Sequence, residues 1–73
     1  MGCIGDGWHR VGNCRVLVQN RVITYTQVLG QNGEWKYARI KKWNKTWHRY
    51  DCVGMVTLAA LRSGLSRGTM TIS

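Results

Sequence analysis

Proline and phenylalanine are both missing from this 73-residue sequence, and its only acids are Asp6, Glu34 and Asp51. Without proline there is no polyproline ligand segment and little sign of a linker. Without phenylalanine a core must be assembled from Trp, Tyr, Val, Ile and Leu, so at least two of the four tryptophans are expected inside. With so few acids no carboxylate pair is evident for general acid–base work, and neither a nucleophile elbow nor a phosphate-binding glycine loop occurs. Cys14 or Cys52 can be sketched beside a histidine and an acid as a nucleophilic site. A chain this short, however, rarely builds a pre-organised pocket as well as a core. An enzyme is not expected.

Long apolar runs are missing too. The longest nearly uncharged stretch, Cys52 to Leu61, is too short to cross a bilayer. The N-terminus lacks the charged and apolar regions of a secretory signal. It begins Met1-Gly2-Cys3 but carries Asp6 where an acylated start usually has Ser or Thr. The cysteines, Cys3, Cys14 and Cys52, are odd in number, which fits reduced thiols in a cytosol rather than a disulfide framework. No Cys-x-x-Cys knuckle occurs. Of the potential ligands Cys3, His9, Cys14, His48 and Cys52, only His48 and Cys52 have a ligand-like spacing, with three residues between them. No metal site or other cofactor is expected, with Cys14, His48 and Cys52 as the nearest approach to one.

What is present is positive charge and aromatic surface. Eleven Lys and Arg against three acids give a net charge of +8. Such a field steers a protein toward polyanions or acidic protein surfaces. Four tryptophans and three tyrosines make disorder untenable. At this length one domain, 1–73, is the expected organisation, burying only about 60% of its unfolded surface.

Three regions stand out along the chain. Residues 1–13, with Gly2, Gly5, Gly7 and Gly12 around Trp8, read as a loop that is either a recognition tip or a lid. Residues 14–43 read as a three-stranded antiparallel meander: Arg15–Gln19, Val22–Leu29 and Trp35–Trp43, the last two joined by a hairpin at Asn32-Gly33. A turn at Asn44-Lys45-Thr46 precedes a helix over 51–64, with Asp51 as N-cap, Val53, Val56, Ala60 and Leu61 on one face, and Gly64 ending it. Thr69-Met70-Thr71-Ile72 can add a short final strand. The expected fold class is α+β, a meander covered on one face by a C-terminal helix.

The densest chemical signal runs from Trp35 to Tyr50. Lys36, Arg39, Lys41, Lys42, Lys45 and Arg49 alternate with Trp35, Tyr37, Trp43, Trp47 and Tyr50. On one continuous strand Trp35, Tyr37, Arg39, Lys41 and Trp43 would share a face, with Lys36, Ala38, Ile40 and Lys42 opposite. Cations that follow phosphates and rings that stack on bases suit single-stranded nucleic acid. The same groups anchor acidic protein grooves. These ten residues, Trp35, Lys36, Tyr37, Arg39, Lys41, Lys42, Trp43, Lys45, Trp47 and Arg49, are the expected binding surface.

In length, charge, odd cysteine count and layout, the chain resembles the small early transcription regulators of lytic bacteriophages, one from a Xanthomonas phage among them. The resemblance implies a protein that binds host RNA polymerase, displaces the promoter-specificity factor and suppresses termination. It implies bacterial RNA polymerase as partner near the RNA exit, no membrane, and a monomer in the host cytoplasm. Nascent RNA or DNA would be a further contact. The alternative is an autonomous RNA- or DNA-binding sheet domain.

Overall fold

A computed structural model describes residues 5–73. Cys3 and the Met1-Gly2-Cys3 start therefore lie outside the described residues. The elements are β1 (Gly7–Val11), β2 (Cys14–Gln19), β3 (Val22–Leu29), β4 (Trp35–Tyr37), β5 (Ile40–Asn44), β6 (Arg49–Cys52), α1 (Leu58–Arg67) and β7 (Met70–Ile72). They form two antiparallel sheets, a four-stranded sheet β1-β2-β3-β4 and a three-stranded sheet β6-β5-β7, with one C-terminal helix. The fold class is thus α+β, as expected, but the single three-stranded meander is corrected to two sheets. The molecule is a slab of 35 × 35 × 19 Å.

Local chemistry sets each strand connection. Asn20 and Arg21 take φ of 53° and 70° between β2 and β3, the double left-handed conformation of a two-residue hairpin turn. Leu17 pairs with Tyr25 and Val18 with Ile23, leaving Thr24 as the extra residue of a bulge that adds twist to the sheet. The expected Asn32-Gly33 hairpin is present. Gly33 sits at φ 84°, the Glu34 N–H donates to Asn32 Oδ1, and Leu29 pairs with Trp35.

The residues expected to be a Gly-rich loop do not all behave as one. Gly7–Val11 pairs along its whole length with Cys14–Val18. Glycine at position 7 takes φ 117° at the strand start and at position 12 takes φ 58° in the turn, so the glycines punctuate a strand and leave its interior free of them.

The expected third strand breaks in the middle. The Ala38 N–H still donates to Thr26 O in the first sheet at 3.0 Å. One residue later Arg39 exchanges both backbone bonds with Ser73 in the second sheet, at 3.0 and 3.1 Å. The chain changes sheets here because Ala38 and Ile40 are both buried in the seam, 3% and 7% exposed. Two inward residues with one outward residue between them suit a strand of either sheet.

The helix is displaced from its expected span of 51–64. Arg49–Cys52 pairs with β5 as a strand, so Asp51 is a strand residue and not an N-cap. The apolar spacing of Val53 and Val56 that mimicked a helical face belongs to extended chain laid over the core. Val53 donates to Ile40 O, and Val56 accepts from the Ile23 N–H at 2.8 Å. The true N-cap is Thr57, whose Oγ1 accepts from the Ala60 N–H at 3.1 Å. Gly68, at φ 76°, ends the helix in place of Gly64. Gly64 is a buried helix residue facing Met70 of β7.

The core is aliphatic: Val16, Val18, Ile23, Ile40, Leu58 and Leu61, flanked by Val11, Val53, Val56, Leu65, Met70 and Ile72. No tryptophan is buried, which overturns the expectation that two would be. Trp8, Trp43 and Trp47 are exposed and Trp35 is half-buried. In a slab this thin the space between sheet and helix is filled by valines, isoleucines and leucines, and the bulkier indoles lie outside.

Candidate binding surface

Strand pairing divides the aromatic and basic side chains into two groups. The first covers the outer face of the four-stranded sheet. Trp8 stands opposite Leu17, which stands opposite Tyr25; Arg10 stands opposite Arg15, Arg15 opposite Gln27, and Gln27 opposite Tyr37. Trp35 joins them from β4. The rings touch in sequence, Trp8 edge-on to Tyr25 at 6.1 Å and Tyr25 against Tyr37 at 5.2 Å between centroids. The Arg15 guanidinium lies 4.7 Å from the Trp8 ring centre and 4.5 Å from that of Trp35. Its Nε donates to Gln27 Oε1 at 2.7 Å. Arg10 also stacks on Trp35, at 5.1 Å. Each is a cation–π contact that places an arginine over a ring.

The second group is the β5–β6 hairpin. Trp43 faces Tyr50 across the strands with centroids 5.1 Å apart, and His48 meets Trp43 edge-on at 6.4 Å. The Asn44 side chain organises the turn: Oδ1 accepts from the Thr46 and Trp47 N–H groups, and Nδ2 donates to Asp51 Oδ2 at 2.9 Å. His48 completes the reversal at φ 51°. Tyr50 OH donates to Gly68 O at 2.9 Å, tying the hairpin to the end of the helix. Lys42, Lys45, Trp47 and Arg49 are exposed and Lys41 is half-buried. A shallow cleft of about 340 Å³ lies between Lys42, Trp43, Lys45, Asp51 and Val53.

The ten residues expected to form one surface are therefore shared between two. Trp35, Lys36 and Tyr37 belong to the first sheet, and Lys41, Lys42, Trp43, Lys45, Trp47 and Arg49 to the hairpin. Arg39 sits between them, 6.0 Å from the Tyr37 ring centre, and contact with the Cys52 side chain and then Tyr37 further raises its already high pKa. Lys36 pairs opposite Val28, so it lies in a different cross-strand row from Trp35 and Tyr37. Trp8, Arg10, Arg15 and Tyr25 are not among the ten residues of the expected surface, although the segment around Trp8 reads as a recognition tip or a lid. The signal available for them was the Trp8-x-Arg10 and Arg15-x-Leu17 alternation on either side of Gly12-Asn13, which is hairpin patterning.

Charge compensation is sparse. Arg49 Nε lies 2.8 Å from Asp51 Oδ1, the one ion pair among the described residues. The Asp51 carboxyl is held below its ordinary pKa first by the Asn44 hydrogen bond and then by Arg49. A carboxylate with a depressed folded-state pKa contributes stability above its unfolded value, and that contribution is lost as pH falls through the folded value. Melting temperature is accordingly expected to drop as pH falls below about 4, with a smaller drop in Asp51→Asn. Equal drops in both proteins would show that Asp51 is not the group responsible.

Burial raises the Cys14 thiol, with nearby Arg10 opposing. Cys14 lies in the first sheet, whereas His48 is in the β5–β6 turn and Cys52 in β6. Among the described residues no three His, Cys, Asp or Glu side chains gather as metal ligands. Nor is any helix there long and apolar enough to cross a membrane. In comparisons with known proteins, no family model, curated protein or solved structure matches the chain.

Proposed function

We propose that this chain is a small, basic, non-enzymatic regulator that binds bacterial RNA polymerase near the RNA exit region, inhibiting initiation or suppressing termination. It would act as a monomer in the host cytoplasm. The observation that supports this best is the β5–β6 hairpin. It carries Lys41, Lys42, Lys45 and Arg49 beside Trp43, Trp47 and Tyr50, and its single acid, Asp51, is already occupied by Asn44 and Arg49. Trp47 is 67% exposed at the tip. Exposed indoles beside lysines are what an acidic protein surface selects, with the rings as anchors and the cations setting orientation and association rate. The choice of polymerase rests on the resemblance in length, charge and layout to phage regulators of transcription.

The test uses the purified polymerase. Immobilised protein is expected to retain it at about 0.15 M salt after nuclease treatment. Replacing exposed Lys42 and Lys45 together by Ala should cut retention about tenfold, the effect of roughly 1.4 kcal/mol, with the circular dichroism spectrum unchanged. Lys41 is half-buried, so its replacement would mix lost packing with lost charge. Loss of retention on nuclease treatment, or undiminished retention of the double variant, would count against the reading.

A further inference from the structure

The outer face of the four-stranded sheet makes no use of the hairpin, and its composition departs from what an ordinary solvated sheet face requires. Arg10 and Arg15 are directly opposed across β1 and β2. Like charges in that position destabilise a strand pair. Among the described residues neither forms an ion pair; each is instead laid against an indole. Around them Trp8, Tyr25 and Tyr37 are 47%, 40% and 57% exposed, and their rings make a connected row. Of the acids, Glu34 is in the β3–β4 turn and Asp51 is bound in the second sheet, while Asp6 lies just before β1, two residues from Trp8, so one carboxylate at the edge stands against three arginines.

We infer that this face is a binding site for single-stranded RNA. The rings of Trp8, Tyr25 and Tyr37 offer a platform on which successive bases stack, and Arg10, Arg15 and Arg39 line the path of the phosphates. Stacking against indoles and the Gln27 bond hold the Arg15 guanidinium in place before any ligand arrives, so less side-chain freedom is lost on binding. A duplex keeps its bases stacked inside and presents no free ring faces to this platform. RNA is favoured over DNA because the phenol groups of Tyr25 and Tyr37 and the Gln27 amide can bond a ribose 2′-hydroxyl. Charge complementarity and ring geometry carry the assignment, which does not depend on the polymerase reading.

The experiment uses the free protein and a labelled uridine oligonucleotide of about ten residues. The deoxyuridine oligonucleotide of equal length and an RNA duplex serve as comparisons. The RNA single strand is expected to bind at least tenfold more tightly than the duplex, and its affinity should fall with salt with a log–log slope near −2, about 0.7 for each of three phosphates. Trp8→Ala, Tyr25→Ala and Tyr37→Ala should each weaken RNA binding about fivefold or more. The double variant Tyr25→Phe with Tyr37→Phe should keep the stacking but lose a preference for RNA over DNA of about threefold. The three alanine variants are at exposed positions, and their melting curves check that folding is intact. The inference is overturned if the duplex binds as well as the single strand, if DNA binds as well as RNA, or if the alanine variants bind RNA like the parent. It is overturned equally if those variants lose polymerase while retaining RNA, because the face would then be a protein contact. None of these results bears on the Lys42 and Lys45 variant, so the two proposals fail separately.

Discussion

Leu61→Ala is expected to lower the melting temperature by about 10–20 °C. Leu61 is fully buried, and it joins Leu58 in placing the helix against Val16, Val18, Ile23 and Ile40. Truncating such a side chain costs about 2–5 kcal/mol, the transfer of the lost atoms plus the cavity they leave. A chain of this length has about 4–11 kcal/mol of stability in all. Each kcal/mol moves the midpoint of a small domain by about 4–8 °C. The core has few residues to collapse into the gap, because the slab is one layer of aliphatic side chains. Thermal unfolding of Leu61→Ala beside Arg62→Ala, an exposed position one residue on, checks it. Indistinguishable midpoints would mean that the helix does not hold the core together.

A second large loss is expected from Gly64→Val, about 3 kcal/mol, in the upper part of the range for overpacked cores. A Cβ at Gly64 would stand 2.7 Å from Met70 Cβ, and closer still to atoms farther along that side chain. Met70 Cβ is fixed to the backbone of β7, which pairs with Lys42 of β5, so the strand itself must give way. Gly64→Ala tests the sign independently. Helix propensity alone favours Ala over Gly by about 1 kcal/mol, so a lower midpoint for Gly64→Ala is the signature of the contact with Met70. A higher one would show that helix and strand are not so closely apposed. Because β7 is the outer support of the hairpin's sheet, the valine variant should also weaken polymerase retention without touching a surface cation.

These two sites show what the sequence could and could not reveal. The β2 and β3 strands, the Asn32-Gly33 hairpin, the short final strand and the α+β class follow from local chemistry: β-branched runs, a turn pair with a left-handed glycine, and apolar spacing near the C-terminus. The transfer of the chain between sheets at Ala38-Arg39 does not. An alternating pattern is the same whether a strand pairs with one sheet throughout or with two in succession, and the choice is made by Thr26 and Ser73, remote in sequence. The expected helix start lies too early because Val53 and Val56 have helical spacing while lying in extended chain; the helix is capped by Thr57 and Gly68. The ten residues expected to form one surface divide between two sheets. The run from Lys41 to Tyr50 lies on one hairpin, as adjacency in sequence implies, whereas Trp8 and Trp35 meet over Arg15 only through the folding of four strands.

The tryptophans are divided evenly, Trp8 and Trp35 on the first sheet and Trp43 and Trp47 on the second. That division makes the protein its own pair of optical reporters. Trp8 and Trp35 emit from beside the Arg15 guanidinium, whereas Trp47 emits from near-bulk water at the hairpin tip. Variants that keep the indoles of one sheet and carry tyrosine at the other two positions would let a titration be followed at either surface separately. RNA would quench the first pair, so occupancy of the first sheet becomes a spectroscopic measurement on an unlabelled chain.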